Sequence, residues 1–472
     1  MLIRLHFSVT LFKCTVMLLA DQVKTLRQFY ASGATRPLSF RKEQLRKLSG
    51  ALTRFEEDIF KALPDDLRKS REETWVTEIA LLQSEIRHCL SQLKHWMSPE
   101  PVATNLLNWP SSSEIRPEPL GLVLIVGPWN YPLQLLLLPL ASAMAAGNCV
   151  ILKAPEHAPA STAVMKRIIE GIFPPNYILF LEGEGHEVLP GLIRDHAPDH
   201  IFFTGSTQVG KLIYQYAAEK LIPVTLELGG KSPAVITGNV NITVTAKRIA
   251  LAKFSNAGQM CVAPDYLLVH RSVRDRMLDE LQSCIKKFFG DDPKSSPDFG
   301  RIINRRQFDR LIAYLEGARI LYGGDADAGQ LYISPTLMET TQDAAIMRDE
   351  IFGPILPIMV YDRDEEALEI ISRNPNPLAF YVFSNSRSEA DTWLNAVPAG
   401  AACVNNVSWH LTNHNLPFGG RGASGIGAYH GKAGFDRFSH LKSVMRTPTW
   451  FDPFIKYPPF AGKLKWLKWL VR

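Results

Sequence analysis

Residues 119–152 read PLGLVLIVGPWNYPLQLLLLPLASAMAAGNCVIL, a run without a single charged side chain. A helix needs about 20 apolar residues to cross a bilayer, so length alone would permit a span. The punctuation excludes it. Gly127, Pro128, Asn130, Pro132, Pro139, Gly147 and Asn148 divide the run into a strand (122–126), a loop, a helix (132–146), a turn and a second strand (149–152). Strands that are apolar throughout, rather than alternating, are covered on both faces and belong to a parallel βαβ unit.

The alternation continues downstream. Helix 160–171, strand 177–181, helix 185–193, strand 200–203, helix 206–219 and strand 223–228 predict an α/β fold with a doubly wound parallel sheet. A second α/β region follows from about 231 to 405, with a strand at 234–236 and a helix at 273–289. Upstream, amphipathic patterns at 21–30, 40–61 and 71–97 read as helices that pack on this body, followed by a Pro/Ser-rich connector, 98–119.

At 472 residues the chain should form two or three domains, at roughly 150 residues each. Its 46% hydrophobic and 21% charged residues exclude a disordered chain and a polytopic membrane protein. The net charge of +5 is local: residues 456–472 hold Lys456, Lys463, Lys465, Lys468 and Arg472 and no acid, so the body is neutral. A neutral body argues against nucleic acid as a partner. Cys14, Cys89, Cys149, Cys261, Cys284 and Cys403 are scattered, with no CxxC pair, so no metal site is expected and reduced cytoplasmic thiols are. Apolar residues 2–20 behind Arg4 are interrupted by Lys13 and lack a small-x-small cleavage site. A poorly ordered extension is the expectation, with Met17 as an alternative start.

Four segments could carry chemistry. Phe203-Thr-Gly-Ser-Thr-Gln-Val-Gly210 follows a strand and opens a helix, a turn that suits a phosphate through free N–H groups and the helix dipole, or that is simply structural. Glu227 ends the apolar strand before Gly229-Gly230-Lys231, where α/β sheets place their ligand crevice. A desolvated carboxylate there could take a proton from water; a salt bridge to Lys231 is the alternative. Cys261, delivered by the small polar segment 255–260 and followed by Pro264, is either a nucleophile or an inert thiol. Asn130, between two prolines, either caps helix 132–146 or offers its amide to an oxyanion.

Together these residues resemble the aldehyde dehydrogenase superfamily, and within it the class 3, fatty aldehyde dehydrogenase-like branch. The resemblance runs from about 26 to 459 and rests on Gly127-Pro-Trp-Asn-Tyr-Pro132, Phe203-Thr-Gly-Ser206, Leu226-Glu-Leu-Gly-Gly-Lys231, Gly258-Gln-Met-Cys261, Glu350-Ile-Phe-Gly-Pro354 and Pro417-Phe-Gly-Gly420. Phe29-Tyr-Ala-Ser-Gly33, Val262-Ala-Pro-Asp265 and Tyr429-His-Gly431 indicate the branch. The resemblance implies a Rossmann-type NAD-binding domain (21–98 and 119–229), a catalytic domain (230–409), a bridging and oligomerisation element (99–118 and 410–450), and a homodimer. It implies Cys261 as nucleophile, Asn130 with the Cys261 N–H as oxyanion hole, and Glu227 as base for hydrolysis of a thioester to a carboxylate. Lys153 and Glu156 match adenosine-ribose residues. Gly205, Ser206, Thr207, Gln208, Val209 and Gly210 match the pyrophosphate turn beside Leu228 and Gly229, and Glu350 and Phe352 match nicotinamide-ribose contacts. NAD is the implied cofactor, since Glu156 would repel a 2′-phosphate, although the branch admits NADP.

Two positions depart from the usual pattern. Ala154-Pro155 stands where Pro-Ser is usual, and Met260 replaces threonine, which suggests a pocket wall for medium-chain, long-chain, aromatic or other lipophilic aldehydes. A CoA-acylating dehydrogenase is the enzymatic alternative, disfavoured by retention of Glu227; a non-catalytic, membrane-associated binding protein is the other. Beyond the catalytic fold, residues 451–472 form a basic amphipathic tail. In 463–472, Lys465, Lys468 and Arg472 share one helical face and Leu464, Trp466, Leu467, Trp469, Leu470 and Val471 cover the rest. Such a segment lies peripherally on an anionic membrane or docks on protein.

Overall fold

The structure, a computed structural model, describes residues 19–470. The expected extension 1–20, apart from its last two residues, lies outside the described residues, as do Val471 and Arg472. Three helical stretches precede the first sheet. The first covers 19–31. The pattern at 40–61 is two helices, Leu38–Arg54 and Glu56–Leu67, separated at Phe55 (φ −98°, ψ 12°). Glu56, Glu57 and Asp58 fill the first turn of the second, where acids favour a new N-terminus. The third is helical over Arg71–Trp96 but contains a π-helical turn, Trp75–Ile79, that buries Glu78 and Ile79. A π turn is a frequent mark of a functional site.

The apolar stretch forms the expected strand, helix and strand: Leu122–Val126, Pro132–Ala146 and Cys149–Lys153. Every residue of the helix is buried, as a helix without a polar face must be. Pro132 opens it and Gly147, at φ 95°, closes it. A Cβ on Gly147 would stand 2.6 Å from the Arg41 guanidinium, which donates to the carbonyls of Ala145 and Thr35 at 3.0 Å each.

The helix sits on a six-stranded sheet, ordered Gly425–Ile426, Val224–Leu228, His200–Gly205, Leu122–Val126, Cys149–Lys153, Ile178–Leu181. All its pairings are parallel except that of Gly425–Ile426. The strand order reverses between Leu122–Val126 and His200–Gly205, and the crevice at the carboxyl ends there is where such sheets bind ligands. A seven-stranded sheet follows: Arg319–Tyr322, Thr336–Glu339, Ile355–Tyr361, Tyr266–His270, Pro233–Ile236, Ala379–Phe383, Ala401–Val404, parallel apart from its first pair. A third sheet joins Glu100–Val102, Ser112–Pro119 and Ser439–Arg446, tying the connector to the far end of the chain by an eight-residue antiparallel register.

One buried ion pair links the exit from the first large sheet to the second. Lys231 Nζ donates to Asp265 Oδ2 at 2.5 Å and to the carbonyls of Ile346 and Asp349 at 2.8 and 3.0 Å. Asp265 Oδ1 accepts from Ile351 N–H at 3.0 Å. Removing one partner of a buried pair leaves an uncompensated charge, at a cost of about 3–5 kcal/mol. Lys231→Met should therefore lower the urea midpoint markedly; a wild-type midpoint would contradict the clamp.

Candidate active site

Asn130 and Cys261 stand on different segments that are locked together by amide groups. Asn130 Nδ2 donates to the Gln259 carbonyl at 3.1 Å, and Asn256 Nδ2 donates to the carbonyls of Asn130 and Gln259 at 2.9 and 3.2 Å. The Gln259 side chain donates to Asn256 and Arg301 carbonyls at 3.0 and 2.8 Å and accepts from Ile303 N–H at 3.0 Å. Asn256 and Ala257 sit at φ 49° and 50°, so the approach to Cys261 is a tight, tethered turn rather than a helix. Gly258, at φ 73°, has no room for a Cβ, which would lie 2.2 Å from the Gly353 carbonyl. Tyr381 OH donates to the Val262 carbonyl at 2.6 Å, fixing the other side of the cysteine.

Asn130 does not cap the helix that follows. The N-cap position is Tyr131, with no side-chain cap, and Glu78 Oε2 instead accepts from Leu133 and Gln134 N–H at 3.1 and 3.0 Å. The Asn130 amide faces the cysteine loop, and one of its two N–H bonds is left for another acceptor.

Glu227 is buried, and neither carboxylate oxygen has a hydrogen-bond partner. The alternative of a salt bridge to Lys231 is absent, since Lys231 is taken by Asp265. Thr204, opposite Glu227 in the parallel register, also has an unpartnered buried hydroxyl. Burial pushes the Glu227 carboxyl well above the ordinary carboxylate range, with Arg437 pulling weakly the other way. The half-buried Cys261 thiol is pushed up to about 12, first by burial, then by the charges of Glu350 and Glu227; its own N–H and that of Val262 oppose this. The thiol therefore lies within electrostatic reach of both carboxylates.

The other candidate residues gather along the carboxyl edge of the six-stranded sheet. Ser206 caps helix Thr207–Ala218, its Oγ accepting from Val209 N–H at 3.4 Å. A Cβ on Gly205 would meet the Phe203 ring at 2.5 Å, and one on Gly210 would meet Leu228 Cδ2 at 2.5 Å, so the turn lies tight on its strands. Thr207 Oγ1 reaches the Ala423 carbonyl at 3.5 Å, whereas Gln208 and Val209 occupy the exposed first turn of that helix. Two strands away, Lys153 Nζ bonds Glu156 Oε2 at 2.8 Å. Burial works to raise the Glu156 carboxyl, but the bond from Lys153 holds it below its ordinary value. Glu350 comes from the second sheet's side and lies against Gly229, where a Cβ would be only 1.9 Å from Oε2. Burial and the charge of Asp265 raise Glu350 to about 8, against Gly230 N–H, Lys231 and Arg310. Phe352, at φ 50°, meets Trp129 edge-to-face at 5.3 Å, which places it beside Asn130. The glycine cradle, the capped helix start and the Lys153–Glu156 pair fit the phosphates and a ribose of a dinucleotide.

Several supporting residues have no local signal in the sequence. Glu73 accepts from Asn256 N–H at 2.7 Å and Lys69 donates to the Asn130 carbonyl at 3.0 Å, yet both belong to segments whose pattern reads only as packing. His200 is structural, buried and bonded to Thr225 Oγ1 at 2.9 Å. Cys89, Cys149 and Cys284 are buried, whereas Cys403 is half-buried on the outermost strand of the seven-stranded sheet, 3.3 Å from His410 Nδ1.

Known proteins resemble this chain in sequence and fold. The model of the aldehyde dehydrogenase family matches residues 14–444. The 4,4'-diaponeurosporen-aldehyde dehydrogenase of Staphylococcus aureus is 45% identical over 94% of this chain and 96% of its own. Aldehyde dehydrogenase family 3 member B1 of Homo sapiens is 43% identical over 93% and 94%. Among solved structures, substrate-bound Staphylococcus aureus AldH superposes with a TM-score of 0.94 at 43% identity, covering 96% of this chain and 99% of that one. Indole-3-acetaldehyde dehydrogenase with NAD+ superposes at 0.83 and 28% identity, covering 92% and 89%. The chain belongs to the aldehyde dehydrogenase family and is an oxidoreductase that acts on aldehydes.

Proposed function

We propose that this enzyme oxidises lipophilic aldehydes to free carboxylic acids, with NAD as the preferred cofactor and Cys261, Asn130 and Glu227 as its chemical groups. The observation that carries the hydrolytic reading is Glu227, a buried carboxyl with no partner, in electrostatic contact with the thiol. As its thiolate, Cys261 Sγ attacks the aldehyde carbon, the carbonyl π pair moves onto oxygen, and the free N–H of Asn130 stabilises the resulting thiohemiacetal oxyanion. NAD(P), held by Lys153, Glu156 and the 205–210 turn, would supply the acceptor for the hydride of that adduct. Glu227 then takes a proton from water as the water attacks the thioester carbonyl, releasing the acid and the thiol. Residues 21–98 and 119–229 would form the NAD-binding unit and 230–409 the catalytic one. Lys153, Glu156, the 205–210 turn, Leu228, Gly229, Glu350 and Phe352 would hold the cofactor, and Glu156 disfavours a 2′-phosphate.

A lipophilic substrate is supported by Met260, packed against the core next to the nucleophile, and by a relative named for diaponeurosporen-aldehyde. A homodimer is supported by two open sheet edges, Ala401–Val404 and Ser439–Arg446, the latter exposing Leu441 and Met445. No helix among the described residues is long and apolar enough to cross a membrane. The tail helix Leu464–Leu470 leaves Leu464, Trp466 and Trp469 at 61%, 64% and 60% exposure, so these side chains are not docked on the chain's own surface. Trp450, Phe454 and Phe460, earlier in the same segment, are also exposed, and Lys463 folds the segment on itself by bonds to the Phe454 and Tyr457 carbonyls at 2.9 and 2.8 Å. Aromatic and cationic groups in one small foot suit the interface of an anionic membrane.

With decanal, Cys261→Ala should abolish NADH formation, and Glu227→Gln should retain a first-turnover burst while losing about 10²–10⁴ in steady-state rate. An absolute requirement for CoA would overturn the hydrolytic reading. Because the thiol is raised, its reactive thiolate fraction grows about tenfold per pH unit below its pKa. Alkylation of Cys261 by iodoacetamide in cofactor-free enzyme should still be climbing at pH 9; a plateau below pH 8 would contradict the half-buried, carboxylate-flanked thiol. Deleting residues 463–472 should reduce sedimentation with phosphatidylserine liposomes and leave turnover of short soluble aldehydes unchanged. Unchanged sedimentation would remove the membrane assignment.

A further inference from the structure

The loop that carries Asn130 is held at both ends by two charges from outside the sheet. Lys69 Nζ donates to Glu78 Oε1 at 2.7 Å and to the Asn130 carbonyl at 3.0 Å, and it lies 3.8 Å from the centre of the Tyr131 ring. The other oxygen of Glu78 accepts from Leu133 and Gln134 N–H. Both side chains are fully buried. The pair thus spans residues 130–134, fixing the carbonyl before the helix and the N–H groups within its first turn. Glu78 reaches this position from the π-helical turn Trp75–Ile79.

We propose that Lys69 and Glu78 are positioning residues for the aldehyde chemistry, aiming the Asn130 amide at the oxyanion; this rests on the reading of Asn130 given above. The geometry leaves Asn130 few other restraints on its backbone. Its carbonyl is shared between Lys69 and Asn256, and its side chain makes one bond, to Gln259. An oxyanion donor is effective only where it already points at the developing charge, since reorientation during the reaction forfeits the gain. A buried ion pair that caps the helix and grips the carbonyl supplies that fixity without touching the substrate.

The test is a double-mutant cycle on the single-turnover rate of NADH formation from a saturating aldehyde. Replacing both charges, Lys69→Met with Glu78→Gln, avoids stranding one buried ion and should leave stability near wild type. This paired variant should lose about 10- to 100-fold in rate, the scale of an ångström misplacement at a reacting group. Asn130→Ala should lose about 10²–10³-fold. With Asn130→Ala already present, the paired substitution should cost less than about twofold, because its effect passes through the missing amide. A wild-type rate in the paired variant, or an equal loss in both backgrounds, would overturn the positioning role. A wild-type rate in Asn130→Ala would instead overturn the oxyanion reading itself. Should the paired variant not fold, Glu78→Gln alone keeps an oxygen for the two N–H groups. It should show a loss that vanishes in the Asn130→Ala background, and a loss that persists there would overturn the proposal.

Discussion

Helix Pro132–Ala146 has no face toward water, and its first N–H groups cannot be solvated. The rest of the site follows from how that need is met. A carboxylate, Glu78, accepts from Leu133 and Gln134, and a carboxylate buried this deeply requires a cation. Lys69 supplies it, and its remaining donors reach the Asn130 carbonyl. The same apolar burial that makes the parallel sheet stable therefore imposes a charged brace, and the brace ends at Asn130, the proposed oxyanion donor.

The second theme is desolvation. Glu227, Glu350 and Cys261 are all driven toward their neutral forms by burial. Lys253, also buried, is lowered to about 8 by burial against the pull of Asp265. At each of these groups burial works against the charged form. Glycine makes the crowding possible: at Gly229 and Gly258 the space a Cβ would need is already filled by the Glu350 carboxylate and the Gly353 carbonyl.

Much of the fold was legible along the chain. Strand, helix and strand over 122–152 appear within a residue of the pattern, because apolar runs bounded by Gly, Pro and Asn leave few alternatives. The break at Phe55 and the π turn at Trp75–Ile79 were not legible, since both depend on how neighbouring helices seat on the sheet. Cys261, Glu227 and Asn130 stood out by residue type at the ends of elements. Whether Asn130 capped the helix or faced the cysteine, and whether Glu227 paired with Lys231, stayed open in the sequence, because either outcome satisfies the same local spacing.

The sequence by itself determined the parallel α/β architecture, the family, the candidates for the chemical groups and the confinement of net positive charge to the tail. Tertiary structure decided which buried charges meet. Lys231 takes Asp265 and leaves Glu227 bare, Lys69 and Glu78 close on the Asn130 loop, and the tail tryptophans stay in the open. The reason is physical: hydrophobic pattern is a local property with a period of two or 3.6 residues, whereas the partner of a buried charge is whichever opposite group the packed chain brings within about 3 Å.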